Sequence, residues 1–368
     1  MTRYLFRRSL SSLVALTIFL LFMFFATEII IPNDFTTQYA MSMNRARREQ
    51  LAEELGIDRP LPQRFALWLG RILRGSLGTS FYGMPVIDVI KGLLPYTLLV
   101  FFIGTMIAFF FGQWLGKVTA WQGPGPIASL ATVGSITLYT AFPPWLAFLV
   151  TYFLARRLNW LRAPYSSNRL HELNRGVWQA STFTPHQVML YLVATFISSW
   201  LLLLLLNRFL RRTMRRTLPL LFQVLAFGGI LVGTWFLLGF GPEAYDVLAV
   251  AAIPIITYVL LSFGETTLIM RTSMTDTLKE EYITTARAKG LPEGMVRDRH
   301  AARNALLPVF SRLVVSFPYL LTGLVIIEST LDWPGLSSAL FDSLYNQDMP
   351  VVMGGLLMVG VLSALARL

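Results

Sequence analysis

Long apolar runs separated by short polar loops organise this chain. Runs at 9–31, 94–116, 127–154, 188–206, 218–240, 247–270, 309–327 and 351–365 reach or approach the roughly 20 residues a helix needs to cross a hydrocarbon core of about 30 Å. None alternates polarity at every second residue, as the strands of a membrane barrel do, so the runs predict helices. The expected fold is all-α: a polytopic transmembrane bundle of about eight spans, forming one domain over 1–368, with an external segment at 32–93.

Composition supports this class, with 55% of residues hydrophobic, 14% charged and a mean hydropathy of +0.58, a balance foreign to a water-soluble domain of this length. Lys and Arg in short loops stay on the cytoplasmic side, which sets orientation. Arg3, Arg7 and Arg8 place the N-terminus inside. Alternation then puts Lys117, the cluster Arg208, Arg211, Arg212, Arg215 and Arg216, and the 271–308 segment inside, with both termini cytoplasmic. Arg45, Arg47, Arg48, Arg59, Arg64, Arg71 and Arg74 fall outside, in a segment long enough to escape the rule. The first run exceeds the roughly 7 to 15 residues of a secretory h-region and lacks a small-x-small cleavage site, so it reads as an uncleaved signal anchor.

The net charge of +11 is spread over loops flanking the spans, where anionic lipid headgroups rather than nucleic acid are the expected counterpart. The chain has no cysteine, which removes disulfides, thiolate ligands and thiol nucleophiles. His171, His186 and His300 are too scattered to form a local ligand pair, so no metal and no resident cofactor are expected. No Gly-x-x-x-x-Gly-Lys-Ser/Thr occurs, so any ATP hydrolysis belongs to a partner.

The polar loop at 271–308 carries the most chemistry. Thr277-Leu-Lys-Glu280 has the form of a capping box and predicts a helix start there. Leu278, Tyr282 and Ala286, with Ile283 alongside, make a narrow apolar face ending in Ala286 and Ala288. Gly290 supplies a left-handed stop, Pro292 suits the first turn of a second helix, and Leu307-Pro308 restarts the chain at the membrane. On pattern alone, docking to a soluble partner and a well-capped loop resting on headgroups stand level.

The segment Glu281-Tyr282-Ile-x-x-Ala286-Arg-Ala-Lys-Gly290, followed by Arg299-His-Ala301 and Arg303-Asn-Ala-Leu-Leu-Pro308, resembles the EAA loop of permease subunits in binding-protein-dependent ABC importers. The spacing is similar to that of the oligopeptide, dipeptide and nickel branch. Arg3-Tyr-x-x-Arg7-Arg8, Leu77-Gly-Thr-Ser80 with Pro85-Val, Glu328-x-x-x-Asp332-Trp-Pro-Gly-Leu336 and Asp348-x-Pro350 agree with that branch and point to its B-type subunit. The resemblance implies a six-helix core, which makes the two further helices within 165–245 an insertion. Relatives run on into a short polar tail where this chain ends at Leu368, an ending compatible with a truncated sequence.

The resemblance also implies that the EAA loop forms a coupling helix seated in a groove of a cytosolic ATPase. Glu281, Tyr282, Ala286, Arg287, Lys289 and Gly290 become the coupling positions. Glu281 would act as an ion-pair or capping carboxylate, Ala286 as the close contact and Gly290 as the turn, with Arg287 and Lys289 either touching the partner or solvated. The implied partners are a homologous second permease, two ATPase subunits or domains holding ATP and Mg, an extracytoplasmic solute-binding protein and membrane lipid, in a prokaryotic inner membrane. Peptides, nickel chelates and glutathione-like compounds are all served by this branch.

Glu28 and Glu328 lie near the outer ends of their spans, where an ionisable group is costly unless it faces protein or water. They are candidates for the translocation pathway or its gate, with Asp332 as a companion, against the alternative of headgroup anchors. Asp34 and Asp88 read as solvated loop residues. The basic amphipathic stretch 41–55 reads as a helix on the outer leaflet or a receiver for the binding protein. The six leucines Leu201 to Leu206 suit lipid or an apolar partner and place the inserted helices at the periphery. A secondary transporter would need coupling carboxylates at mid-membrane and usually an internal repeat, and neither is visible. A purely structural membrane subunit would not need the EAA loop.

Overall fold

The computed structural model describes residues 2–30, 49, 59–161, 175–213 and 220–367. Its helices are α1 (Thr2–Ile30), α2 (Leu61–Leu73), α3 (Val86–Gln122), α4 (Pro126–Tyr139), α5 (Pro143–Val150) with a π-helical turn at Thr151–Arg157, α6 (Arg175–Ala180), α7 (Pro185–Thr213) and α8 (Leu220–Leu237). There follow α9 (Gly241–Thr277), α10 (Glu281–Ala288), α11 (Glu293–Met295) with a π-helical turn at Val296–Ala301, α12 (Ala302–Thr330), α13 (Leu336–Tyr345) and α14 (Met349–Arg367). Extended pairing among the described residues is limited to one bridge, Thr79 with Pro85. The fold is all-α, as the hydropathy pattern predicts.

Among the described residues, four helices are long and apolar enough to cross a membrane: Phe6–Thr27, Val86–Gln122, Pro185–Leu210 and Gly241–Thr277. The helices Phe222–Leu237 and Met349–Leu365 are apolar but shorter. The run expected as a span at 127–154 is a pair of helices, α4 and α5 with its π-helical turn, bent by 108° and apolar enough to cross only when taken together. The cause is written in Phe142-Pro143-Pro144. Proline removes backbone donors, and the residue before it is pushed out of the helical region; Phe142 accordingly sits at φ −66°, ψ 115°. Both α3 and α9 run to 37 residues, well past the apolar stretches expected at 94–116 and 247–270. Asp88, expected in a loop, lies in the first turn of α3, where a carboxylate complements the positive end of the helix dipole. Asp34 lies outside the described residues, as does 41–55 apart from Glu49.

The chain divides into two compact units. One comprises Met1–Leu93, Val314–Thr322 and Leu336–Leu368, the other Leu94–Leu313 and Gly323–Gly335. In the first, α14 packs on α1 where Gly360 admits Leu16 and Phe19, and on α13 where Gly355 admits Leu340. Phe24 and Phe25 of α1 meet Phe65 and Trp68 of α2 at ring separations of 5.3 to 6.2 Å. In the second unit α9 is the hub. A β-carbon at Gly112 or Gly116 of α3 would strike Thr266 or Met270, and one at Gly264 would strike the Ser135 carbonyl of α4. Small residues that let backbones approach are the usual means of packing helices where lipid offers no hydrophobic contrast.

Candidate functional site

The 271–308 segment folds as a hairpin whose apolar residues turn inward. Ile283 is fully buried and Ala286 nearly so, in a cluster with Phe109 and Ala120 of α3, Met270 and Met274 of α9, and Val296, Ala301, Ala302, Ala305 and Val309 of the second arm. Burying an isoleucine stabilises by about 1.5–3 kcal/mol, so this seat fixes α10 against the adjoining ends of three long helices. Ala286 therefore positions the helix from beneath, inside its own chain.

The opposite face is polar and open. Glu281, Tyr282, Thr284, Thr285, Arg287 and Lys289 are all exposed. Glu281 occupies the first turn, where its charge suits the helix dipole. The Tyr282 hydroxyl accepts a hydrogen bond from Asn304 Nδ2 at 2.9 Å, so the tyrosine leans on the second arm instead of entering the buried stripe. Arg287 is held within its own chain: its guanidinium lies 5.6 Å from the Trp121 ring centroid, and its Nε is 3.2 Å from Glu293 Oε1. Lys289 closes the helix as C-cap. Gly290 follows at φ +71° with nothing within 4 Å of a would-be β-carbon, so glycine is required there by backbone conformation, as its left-handed role predicts.

Three local expectations are corrected. The helix starts at Glu281, with Glu280 as an extended N-cap lacking a side-chain cap. The capping box fails because Thr277 still belongs to α9 and its hydroxyl donates to Ser273 O at 2.7 Å, the back-bonding that competes with capping. Pro292 is the N-cap of α11, just before its first turn. Leu307-Pro308 does not restart the chain but lies inside α12.

The other family-like motifs are structural knots. Thr97 Oγ1 donates to Glu328 Oε1 at 2.7 Å, and Glu328 is fully buried. The Glu328 carbonyl accepts from Trp333 N at 2.8 Å, Trp333 Nε1 donates to Tyr96 O at 3.2 Å, and a β-carbon at Gly335 would collide with the Glu328 carboxylate. Glu328 thus faces protein and is no headgroup anchor. Asp332 is exposed at φ +53°, a conformation aspartate tolerates at a helix end. Glu28 falls in α1, its side chain outside the described residues. In the first unit, Asp348 Oδ2 accepts from Phe81 N at 2.9 Å, while Val86 N donates to Gly78 O at 3.0 Å. The 77–86 turn is thereby tied to the start of α14. Burial pushes the Asp348 carboxyl above its usual range, and the Phe81 amide opposes that shift.

Several polar contacts escaped the sequence reading. Lys117 Nζ meets Asp298 Oδ1 at 2.8 Å. Arg312 Nε meets Glu265 Oε1 at 2.8 Å, joining α12 to α9 within predicted spans. Trp178 Nε1 donates to Asp246 Oδ2 at 2.8 Å, clasping α6 to α9. Isolated charges inside or beside apolar runs were the available signal, but partners distant in sequence cannot be paired from spacing.

A multi-pass helical membrane protein that presents a polar hairpin seated on its long helices is the class defined by this architecture. Residues 102–368 match the family described as binding-protein-dependent transport system inner membrane component, and residues 1–100 match its N-terminal part. The chain belongs to that family. It is 26% identical to the oligopeptide transport system permease protein AppB of Bacillus subtilis, over 100% of this chain and 95% of that protein. It is 26% identical to a glutathione transport system permease protein of Pectobacterium atrosepticum, over 97% and 92%. A dipeptide transport system permease protein of Escherichia coli is 45% identical over 98 residues, 27% of this chain and 29% of that protein.

Proposed function

We propose that the chain is the permease subunit of an ATP-driven importer that moves peptides or similar small solutes across a prokaryotic inner membrane. It would work beside a second, homologous permease, with two ATPase subunits or domains supplying ATP and Mg, and with an extracytoplasmic binding protein delivering the ligand. Both termini would then be cytoplasmic. The observation that carries this reading is the division of α10 into a buried apolar seat and an exposed polar face. A partner pushing on that face moves α10 together with the long helices it is wedged against, and packed interfaces between such helices switch between discrete arrangements. Alternating access follows when nucleotide binding favours one arrangement over the other.

The test is capture of tagged chain from detergent, with identification of bound proteins and an assay of ATP hydrolysis. Wild type is expected to bring down an ATPase and a second permease. Gly290→Val forces a β-branched residue to φ +71°, a genuine outlier for such a side chain, and is expected to lose the ATPase. Absence of an ATPase from the wild-type capture, even after crosslinking in membranes, would instead favour a secondary transporter.

A further inference from the structure

Beyond its apolar seat, the coupling hairpin is gripped by a polar strip at the inner end of α3. Lys117 and Trp121 stand four residues apart and so share one face of that helix. Trp121 carries Arg287 of α10 over its ring. Lys117 reaches the other arm, pairing with Asp298 on the π-helical turn Val296–Ala301. Arg297 holds the same carboxylate, Nε donating to Oδ1 at 3.1 Å and Nη2 to Oδ2 at 2.7 Å. These donors keep the Asp298 carboxyl down at about 2, so that carboxylate remains charged near neutrality.

Apolar burial is non-directional and would let a short helix slide over its seat. Charge-assisted hydrogen bonds impose a geometry, and π-helical turns recur where a helix has a task beyond packing. We propose that Lys117 and Asp298 are positioning residues that lock the second arm of the hairpin to α3, so that hairpin and α3 move as one body when α10 is displaced. The displacement rests on the importer reading; the lock is a property of this chain alone.

Because the chain has no native cysteine, two spin labels can be placed cleanly, at Trp114→Cys on α3 and Arg303→Cys on α12. Their distance distribution is measured in lipid nanodiscs without any partner. Lys117→Asp and Asp298→Lys are each expected to broaden it at least about twofold, and the double exchange to restore most of the original width, as coupled neighbours do. Lys117→Arg should stay narrow and Lys117→Met should broaden, a milder pair that decides the matter if the reversals fail to fold. Unchanged widths in the single variants, or a double variant as broad as either single, would overturn the lock. With the ATPase and trapped nucleotide added, the wild-type distance is expected to stay fixed; a nucleotide-dependent change would show the hairpin sliding on α3 and overturn it too. Failure to capture an ATPase at all would count against the importer reading, while the nanodisc comparison still decides the lock.

Discussion

The hairpin at 271–308 and the pair α7 and α8 are built from the same element and are inside-out relative to each other. The 271–308 hairpin hides Ile283 and Ala286 and presents Glu281, Thr284, Thr285, Arg287 and Lys289. The α7–α8 pair presents Leu201, Leu202, Leu204 and Leu205 and turns polar groups inward, with Trp235 Nε1 donating to Thr195 Oγ1 at 3.0 Å. Each arrangement suits one solvent. Water rewards a polar exterior, whereas lipid accepts leucine and penalises unpaired donors. The comparison separates a hairpin with a polar exterior, the face proposed to meet an ATPase, from a pair whose exterior is leucine.

The sharpest way to break it is to place a charge on the buried side of the coupling hairpin. Ile283→Asp would bury an unpaired carboxylate, a change of about 3–5 kcal/mol, and should abolish ATPase capture while membrane insertion, read by fractionation, persists. Leu202→Arg is the matching insult to the α7–α8 pair. It should weaken insertion of α7 by up to about 3 kcal/mol if the site lies at mid-bilayer, as a glycosylation-mapping assay would show, and leave ATPase capture intact.

Smaller effects sharpen the contrast. Thr195→Val would strand the Trp235 donor in an apolar setting and should cost about 1–3 kcal/mol, seen as a lower melting midpoint in detergent. Tyr282→Phe removes only an exposed bond to Asn304 and should change stability by about 0.5 kcal/mol or less. Asp298 should add no pH dependence to the stability of the hairpin near neutrality. The carboxyl of Asp298 is lowered from 3.8 to about 2, so its stabilisation is full above 3.8 and is lost only as pH falls toward about 2. A melting curve that fell between about pH 8 and pH 5 would need another titrating group.

Much of this organisation was legible in the sequence because hydropathy is a local quantity. Apolar runs located the helices, and Gly290 announced its turn because only a missing side chain makes that φ easy. What was missed depended on competition or distance. Thr277 could cap a new helix or continue the old one, and α9 won by taking its hydroxyl. Phe142-Pro143-Pro144 signalled a break that the length of the apolar run obscured. Lys117 and Asp298 lie 181 residues apart, as do other partners brought together only by packing. Tyr282 was placed on the apolar stripe by spacing, yet its hydroxyl found Asn304 and drew it outward.

The most direct test of the coupling face uses the cysteine-free background. Single cysteines at exposed Thr284 and at exposed Leu205 would be crosslinked in native membranes with a short bifunctional reagent. An ATPase joined through position 284 and absent at 205 is the predicted result. An ATPase joined at neither position, in membranes where the second permease is captured, would contradict the assignment of this hairpin as the coupling element.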